Sequence, residues 1–342
     1  MDTQKYRVNI LGASGYVGAD LVRLVLGHPN LELNNIFANT KAGRDIGELF
    51  PNFQFVLENK KLLSPGDASV EDCDVLFLAL PHTQSQEVML GLKNLDLRVV
   101  DLSADFRFDD TGVFETWYLT PHLNKEKQAD FIYGLPELHR ERLSSAKYIA
   151  SPGCYPTAAI LGAKPFIDQG LLLGDSIIVD AASGVSGAGA TPSDVTIFSQ
   201  VDSNFKAYGL IDHRHTPEMT KELGVQVLFT PHLVPMARGI LSTIYIKTNT
   251  KLTRDDLLNI LKKKYEEEPF VLVSETPPET KQVMGTNNCV VSAYYDERTH
   301  HIVALAAIDN LVKGSAGQAI QALNISLGID ETRGLESIAL YP

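Results

Sequence analysis

The sequence has few cysteines and no long apolar runs. Its three cysteines, Cys73, Cys154 and Cys289, are too few and too widely spaced for a disulfide framework or a zinc site. No apolar run approaches the roughly 18 residues that a membrane span needs, and the N-terminal residues lack the apolar core of a secretory signal. We therefore expect a globular protein of a reducing compartment, the cytoplasm by default, without disulfides and without a metal.

Positive charge is also scarce. Lys and Arg total 30 against 42 Asp and Glu, which gives a formal net charge of −12. Such a surface repels phosphate backbones, so we expect neither nucleic acid nor anionic membrane as a partner, although a local basic pocket can still hold a small anion. With 342 residues, 44% of them hydrophobic, the chain is long enough for about two domains.

The first half of the chain alternates short apolar runs with amphipathic stretches. The spacing predicts strands at 7–11, 31–38, 74–80, 97–102 and 147–150, and helices at 15–26 and 84–92. Strands that are apolar throughout, separated by helices, are typical of a parallel sheet covered on both faces. This half is therefore predicted to be a doubly wound Rossmann domain.

From about residue 153 the pattern changes to glycine-rich loops and longer alternating segments. Alternation over 239–248, 288–295 and 301–308 predicts a mostly antiparallel sheet with one packed face. Residues 314–328 are predicted to form a final amphipathic helix. The expected fold class is α/β, with the Rossmann domain followed by an α+β catalytic domain.

A glycine motif lies between the first predicted strand and the first helix. Gly12, Gly15 and Gly18 have the GxxGxxG spacing of a dinucleotide-binding turn, in which helix N–H groups hold a pyrophosphate. A glycine-rich turn without a ligand is the alternative. The cofactor contacts predicted at this turn are Gly12, Ser14, Gly15, Tyr16 and Val17.

The end of the second predicted strand distinguishes NADP from NAD. An NAD site usually carries Asp or Glu about 20 residues past the fingerprint, to bind the ribose 2′-OH. Here the segment contains Thr40, Lys41 and Arg44 and no acid. A hydroxyl and two cations suit a 2′-phosphate, so we predict NADP(H) with contacts from Thr40 and Arg44. The alternative is that the cations are solvated loop charges.

Of the three cysteines, Cys154 has the surroundings of a nucleophile. It follows a predicted strand and precedes a helix predicted over 157–167, and Pro156 suits a first helical turn. A thiol near a helix N-terminus is stabilised as thiolate. A small buried hydrophobe is the alternative for Cys154, and it is the role expected of Cys73 and Cys289.

A short polar segment supplies the groups that a thiolate needs. His213, Arg214, His215 and Glu218 lie together ahead of a predicted helix. One histidine would act as acid/base, with Glu218 fixing its tautomer, unless the segment is only a polar surface loop. A second glycine-rich segment, 180–189, is expected as a loop whose N–H groups hold an oxyanion or phosphate; a flexible hairpin is the alternative.

The motifs together resemble those of the N-acetyl-γ-glutamyl-phosphate reductase family. In chain order they are GASGYVG (12–18), LSADFR (102–107), YGLPE (133–137), SPGCYPT (151–157), SGVSGAG (183–189), HRHTPE (213–218) and PHLVPMxRG (231–239), in which x is Ala237. They span nearly the whole chain. The wider superfamily includes aspartate-semialdehyde dehydrogenase.

The resemblance implies an NADPH-dependent reduction of N-acetyl-γ-glutamyl phosphate to the 5-semialdehyde in arginine biosynthesis. Cys154 would displace phosphate from the acyl carbon and form a thioester, which hydride then reduces. His215 would be the acid/base, with His213 as the alternative. The protein would be a homodimer or homotetramer, and its partner a small-molecule acyl phosphate.

The resemblance also implies the domains and further contacts. The final helix would return to the first domain, giving an NADP-binding domain of 1–153 and 310–342 and a catalytic and oligomerisation domain of 154–309. The remaining predicted contacts are Pro81, Ser183, Gly184 and Asn310 for the cofactor and Arg107, Ser151, Arg214 and Arg238 for the substrate. A guanidinium suits carboxylate and phosphate, but each arginine could instead form a structural ion pair.

Three positions depart from the family pattern. Ala182 stands where the family often has Lys, and Ala190 where it often has Arg or Lys. Ala237 stands where the family usually has Asn. This keeps open a paralogue that acts on a carrier-linked aminoadipyl or glutamyl phosphate. Aspartate-semialdehyde dehydrogenase fits less well, since its histidine region differs. A non-catalytic NADP-binding sensor would not need Cys154 or His215.

Overall fold

The structure, a computed structural model, describes residues 4–93, 96–194 and 196–341, and its contacts divide the chain into two units. The first unit comprises the residues up to Pro152 together with Ser315–Leu335, and the second comprises Gly153–Gly314 and the residues from Glu336 on. The return to the first unit thus comes five residues later than expected, and the tail groups with the second. Residues 1–3 and 342 of the expected first domain lie outside the described residues. Across the described stretches, no helix is long and apolar enough to cross a membrane.

The first unit is built on one parallel sheet. Its strands are β1 (Tyr6–Leu11), β2 (Leu31–Phe37), β3 (Val75–Leu78), β4 (Arg98–Asp101), β5 (Phe131–Tyr133) and β6 (Tyr148–Ala150). They lie in the order β2-β1-β3-β4-β6-β5, and each neighbouring pair is parallel. The predicted Rossmann sheet is confirmed. Its strand order reverses between β1 and β3, and ligands of such sheets bind there, at the carboxyl ends of the strands.

Among the described residues, six α-helices join these strands. They are α1 (Tyr16–Gly27), α2 (Ile46–Leu49), α3 (Gln84–Gly91), α4 (Thr111–Tyr118), α5 (Lys125–Gln128) and α6 (Pro136–Leu143). The helix α1 buries Leu21, Leu24 and Val25, which recur at helical spacing, and β1 buries Val8 and Ile10. This shared apolar core fixes the turn between β1 and α1 against the sheet.

The second unit has a mixed sheet. Its strands are β7 (Ser176–Gly184), β8 (Lys206–Ala207), β9 (Gln226–Val234), β10 (Ile240–Lys247), β11 (Val271–Val273), β12 (Cys289–Asp296) and β13 (His301–Ile308). In the order β11-β12-β13-β10-β7-β9-β8, four of the six neighbouring pairs are antiparallel, as predicted. The prediction of a loop from residue 180 was wrong, because β7 continues to Gly184 between β10 and β9.

In the described part of the second unit there are four α-helices: α7 (Cys154–Asp168), α8 (Phe198–Val201), α9 (Thr216–Leu223) and α10 (Arg254–Lys264). The helix α7 lies close against the sheet because a Cβ on Gly162 would stand 2.5 Å from Ile244 Cδ1. Pro165 cannot donate to the Leu161 carbonyl one turn earlier, and the Tyr265 hydroxyl donates to it instead at 2.6 Å. The helix therefore stays continuous across an internal proline.

The last helix, α11 (Gly317–Ser326), was predicted as one amphipathic helix over 314–328. It is instead buried on nearly all sides and follows a π-helical turn at Val312–Ala316. Its polar residues are buried because they have partners: Gln318 donates to the Gly134 carbonyl at 2.8 Å, and Gln321 to Glu331 at 2.8 Å. From the sequence alone, a helix face of polar residues that bind neighbouring protein groups cannot be told from a face exposed to solvent.

Candidate active site

Cys154 is the first residue of α7. Gly153 is the N-cap, and the Thr157 N–H bonds to the Gly153 carbonyl at 3.0 Å, which closes the first turn. The predicted helix began three residues too late, because Pro156 in the first turn needs no N–H partner and does not delay the start. The thiol therefore stands at the positive end of a 15-residue helix, where the dipole and the first-turn N–H groups stabilise a thiolate.

Two side chains from the start of α9 hold the backbone just before Cys154. The buried carboxylate of Glu218 accepts the Gly153 N–H at 2.7 Å. His215, the N-cap of α9, lies directly on Gly153, since a Cβ built there would stand 2.7 Å from His215 Nε2. The structure thus brings the turn before Cys154, an imidazole and a carboxylate together. The bond from Gly153 gives Glu218 a backbone contact that the sequence did not predict.

His213 is half-buried among aromatic rings. Its Nδ1 accepts the His215 N–H at 3.1 Å, and its ring meets Tyr155, Tyr208 and Phe229 at centroid distances of 5.5, 5.7 and 5.1 Å. Burial lowers the pKa of His213 to about 4, so this ring is neutral near pH 7. The two histidines therefore differ in kind: His215 faces the nucleophile's turn, and His213 holds the backbone of His215.

Gly314 forms another wall of this site, and the sequence reasoning missed it. A Cβ built on Gly314 would lie 2.8 Å from the Cys154 Cβ. Its N–H bonds to the Asp309 carbonyl at 2.9 Å, within the π-helical turn. Such turns are frequent at functional sites. In the sequence Gly314 is the first residue of the predicted final helix, where a glycine gives no signal of a contact with Cys154.

A second cluster of predicted residues meets elsewhere in the second unit. Asn310 accepts the Gly239 N–H at 2.8 Å and donates to Ser186 Oγ at 2.9 Å. Gly184 allows a close approach, because a Cβ there would stand 2.8 Å from the Ala237 carbonyl oxygen. The buried Ser183 hydroxyl donates to the carbonyl of the next residue at 3.0 Å. Asn310 therefore ties together the segments that follow β7 and β9.

The three arginines predicted to bind substrate lie in different surroundings. Arg107 is buried in the first unit and donates to the Ser151 carbonyl at 2.8 Å. In the second unit, Arg238 Nη1 lies 3.5 Å from a carboxylate oxygen of the buried Asp309. Arg214 is exposed, just before α9. Arg107 is thus buried on a main-chain partner, Arg238 lies beside a buried carboxylate, and Arg214 is exposed to solvent.

The turn of residues 12–18 in the first unit uses its glycines differently. Gly12 has φ +87°, and a Cβ there would lie 2.1 Å from the Ala79 carbonyl oxygen. A Cβ on Gly18 would lie 2.3 Å from the Gly12 carbonyl oxygen, so both positions require glycine. At Gly15, the N-cap of α1, the nearest such atom is 3.6 Å away, and no side chain caps the helix. A helix N-terminus without a side-chain cap suits a pyrophosphate, which accepts hydrogen bonds from first-turn N–H groups.

The other predicted cofactor residues of the first unit lie at the carboxyl ends of β2 and β3. Thr40 and Arg44 are exposed after β2, and Arg44 Nε lies 3.4 Å from Glu48 Oε2. An exposed pair of this kind is worth little, so a phosphate can replace the carboxylate. Pro81 is exposed after β3. These positions suit a dinucleotide bound across the ends of the strands.

The remaining cysteines lie in apolar surroundings. None of the three forms a disulfide. Burial raises the pKa of Cys73 to about 12, and Cys289 is fully buried in β12. Both therefore lack the exposure and charge environment of a reactive thiol. Among the residues described, no group of three His, Cys, Asp or Glu side chains is placed to hold a metal ion.

Two family models match the chain. Residues 7–146 match the semialdehyde dehydrogenase NAD binding domain, and residues 154–310 match the semialdehyde dehydrogenase dimerisation domain. The N-acetyl-γ-glutamyl-phosphate reductase of Desulforudis audaxviator is 45% identical, over 98% of this chain and 99% of the relative. The same-named protein of Desulforamulus reducens is 43% identical over the same shares.

Solved structures show the same fold at much lower identity. Aspartate semialdehyde dehydrogenase II from Vibrio cholerae superposes with a TM-score of 0.71, at 17% identity, over 95% of this chain and 99% of that one. At this identity the likeness concerns the fold alone. It agrees with a parallel first sheet and a mixed second sheet.

Proposed function

Because this chain belongs to the N-acetyl-γ-glutamyl-phosphate reductases, within the semialdehyde dehydrogenase family, we propose that it reduces N-acetyl-γ-glutamyl phosphate with NADPH. The products are N-acetylglutamate 5-semialdehyde and inorganic phosphate, a step of arginine biosynthesis. The observation that carries the proposal is the turn at Cys154, where His215 and Glu218 contact Gly153, the residue just before the cysteine at the helix N-terminus.

The chemistry follows from that turn. The Cys154 thiolate attacks the acyl carbon, and a C–S bond forms as the C–O bond to phosphate breaks. His215 donates a proton to the departing phosphate oxygen and regains one from solvent. When bound, NADPH supplies the hydride that reduces the thioester carbon. The C–S bond then breaks, the aldehyde leaves, and the electron pair returns to Cys154.

We assign the acid/base role to His215 and a supporting role to His213. His215 lies against Gly153, next to the nucleophile, whereas His213 Nδ1 is already used by the His215 N–H. A side chain with a pKa of about 4 is a poor proton donor near pH 7. Glu218 serves by fixing the turn through the Gly153 N–H.

NADP(H) fits the first unit. Gly12, Ser14, Gly15, Tyr16 and Val17 would hold the pyrophosphate at the open N-terminus of α1. Thr40 and Arg44 would bind the 2′-phosphate, with Arg44 leaving its exposed contact to Glu48. Pro81 would lie against the cofactor. In the second unit, Ser183, Gly184 and Asn310 would shape the nicotinamide side, and Asn310 would act by holding the surrounding backbone.

The anionic groups of the substrate need cations, and we assign a different role to each of the three arginines. Arg214 is exposed beside the histidines and is our choice for a direct contact with phosphate or carboxylate. Arg238 is oriented by Asp309 and can offer its remaining N–H groups. Arg107 supports the main chain at Ser151 and acts on the substrate through that segment. Ala182, Ala190 and Ala237 make the acyl group the point to test.

The test is a panel of aldehydes in the reverse direction, with NADP or NAD and with phosphate or arsenate. We expect N-acetylglutamate 5-semialdehyde to be oxidised with NADP and to require the anion, because thioester breakdown needs it. Turnover of aspartate semialdehyde or a carrier-linked aldehyde in its place would overturn the substrate assignment. NADP binding without any turnover would favour the sensor.

We also propose the roles of the units, the assembly and the location. The first unit would bind NADP(H), and the second would carry catalysis and pair between subunits, as a homodimer or homotetramer. The outer face of its sheet supports this, since Ile178 on β7 and Leu228 on β9 are 41% and 54% exposed. Size-exclusion chromatography with light scattering tests the assembly, and a monomer would contradict it. Three cysteines without disulfides support a cytoplasmic location.

A further inference from the structure

The helix after β3 lacks a cap of its own. Thr83 is the N-cap of α3, and its side chain makes no capping bond. Its backbone has φ +80° and ψ −17°, a left-handed conformation that is rare for a β-branched residue. The first turn of α3 therefore needs a partner from outside the helix.

Asp105, in the loop after β4, supplies that cap. Its Oδ1 accepts the Thr83 N–H at 2.6 Å, and its Oδ2 accepts the Gln86 N–H at 3.3 Å. Gln86 is the third residue of α3, and the N–H at this position is one that an N-cap side chain normally binds. Asp105 is fully buried, so water does not compete for these bonds.

Asp101, the last residue of β4, extends the cap. It accepts the Ser85 hydroxyl at 2.6 Å and the Ser103 hydroxyl at 2.8 Å, and the Asp105 N–H in turn donates to Ser103 Oγ at 3.1 Å. All four side chains are buried. Burial and the Asp105 charge raise the pKa of Asp101 to about 7. The loops after β3 and β4 are therefore joined by one buried polar network.

The loop held in this way lies beside the dinucleotide turn. The Ala79 carbonyl oxygen, just ahead of the loop at 80–83, would stand 2.1 Å from a Cβ on Gly12. The loop follows β3, and β1 and β3 flank the point where the strand order reverses. In open α/β sheets this is where the ligand binds.

We propose that Asp105 is a positioning residue for NADP(H), which holds Thr83 and the first turn of α3 so that the loop at 80–83 forms one wall of the dinucleotide site. Asp105 itself need not touch the cofactor. The inference rests on the proposed function, because it takes NADP(H) as the ligand of the first unit.

The experiment measures NADPH affinity by fluorescence titration without acyl substrate, and in parallel the affinity for 2′,5′-ADP, which probes the 2′-phosphate end near Thr40. Asp105→Ala should weaken NADPH binding about tenfold and 2′,5′-ADP binding much less, given the value of a lost cap. Asp105→Asn, which keeps an acceptor for the Thr83 N–H, should weaken NADPH binding by only about threefold. The matched control is Asp110→Ala, which removes the exposed cap of another eight-residue helix, α4, and should change neither affinity.

The outcomes separate this inference from the proposed function. Unchanged NADPH affinity in both Asp105 variants, or equal losses for NADPH and 2′,5′-ADP, would overturn it. If Asp105→Ala does not fold, Asp105→Asn decides alone, and a wild-type NADPH affinity in that variant sinks the inference. If the wild-type protein catalyses the proposed reaction and the Asp105 variants bind NADPH with unchanged affinity, only this inference fails and the proposed function stands. A wild-type protein that does not bind NADPH removes both.

Discussion

The N-termini of α1 and α7 follow the same local plan, a strand, a glycine-containing turn and a helix, yet their surroundings are opposite. In front of α1, a Cβ on the N-cap Gly15 would make only an ordinary contact at 3.6 Å, and no side chain caps the helix. In front of α7, the N-cap Gly153 is held by Glu218 and covered by His215. One helix end leaves its N–H groups for a ligand, and the other is packed by the protein.

This difference matches what each end would stabilise. At α1 the proposed anion is a pyrophosphate, which needs an accessible turn and accessible N–H groups. At α7 the proposed anion is the thiolate of Cys154, a residue of the helix itself, and close packing at Gly153 and Gly314 would fix its position. An open helix end therefore serves binding, and a closed one serves pre-organised chemistry.

The largest effect is expected from Cys154→Ser. Turnover should fall by about 10³-fold or more, because serine at neutral pH is a far weaker nucleophile than a thiolate. NADPH affinity should stay at the wild-type value, since the open helix end is untouched. Cys73→Ala, at a buried thiol with a raised pKa, is the control and should keep turnover near wild type. Near wild-type turnover in Cys154→Ser contradicts the nucleophile assignment.

The next largest effect is expected on kcat and distinguishes His215 from His213, the two histidines near the N-terminus of α7. His215→Asn should lower kcat by about 10²-fold or more, the usual contribution of a general acid. His213→Asn should cost much less, because the Asn side chain can accept the N–H two residues on, as His213 does for His215. Steady-state kinetics of both variants measure the split. A larger loss in His213→Asn would exchange the two roles.

A matched pair of glycine substitutions tests the contrast between the helix ends directly. In Gly153→Ala the new Cβ would stand 2.7 Å from His215 Nε2, and the displaced imidazole should lower kcat by about 10- to 100-fold. In Gly15→Ala the new Cβ has 3.6 Å of clearance, so kcat and stability should change little while the KM for NADPH rises. A large kcat loss in Gly15→Ala, with none in Gly153→Ala, would break the comparison.

Much of this contrast could be predicted from the sequence, and the limits have physical causes. Apolar periodicity placed the strands around the turn of residues 12–18, and the Cys154 turn was identified as a strand-to-helix connection. Long-range contacts were beyond reach. Nothing local shows that Glu218 bonds to Gly153 or that Gly314 lies against Cys154, because these contacts depend on how α7, α9 and the π-helical turn pack.

The sequence also failed to predict the burial of polar residues inside helices and the extent of a strand that contains small residues. The helix α11 was expected to be amphipathic, and the strand before the glycine-rich segment was expected to end before Asp180. Gln318 and Gln321 are buried because main-chain and side-chain partners accept their N–H groups. Gly184 remains in β7 because neighbours on both sides pair with it or approach it closely. The hydrophobic pattern of a sequence predicts which apolar residues are buried, but it does not predict the burial of polar residues that have hydrogen-bond partners.

The smallest expected effect is a sensitivity to acid at the closed end, where His213 titrates in a range that no residue of the α1 turn shares. Burial lowers the pKa of His213 from 6.5 to about 4, so between these values the unfolded chain binds a proton that the folded chain does not. The free energy of unfolding should therefore fall as the pH drops, by about 1–2 kcal/mol between pH 7 and about 5. His213→Asn keeps an acceptor for the His215 N–H and removes this titration. Scanning calorimetry at both pH values should show a smaller acid shift of Tm in the variant, and equal shifts in both proteins would count against a buried neutral His213.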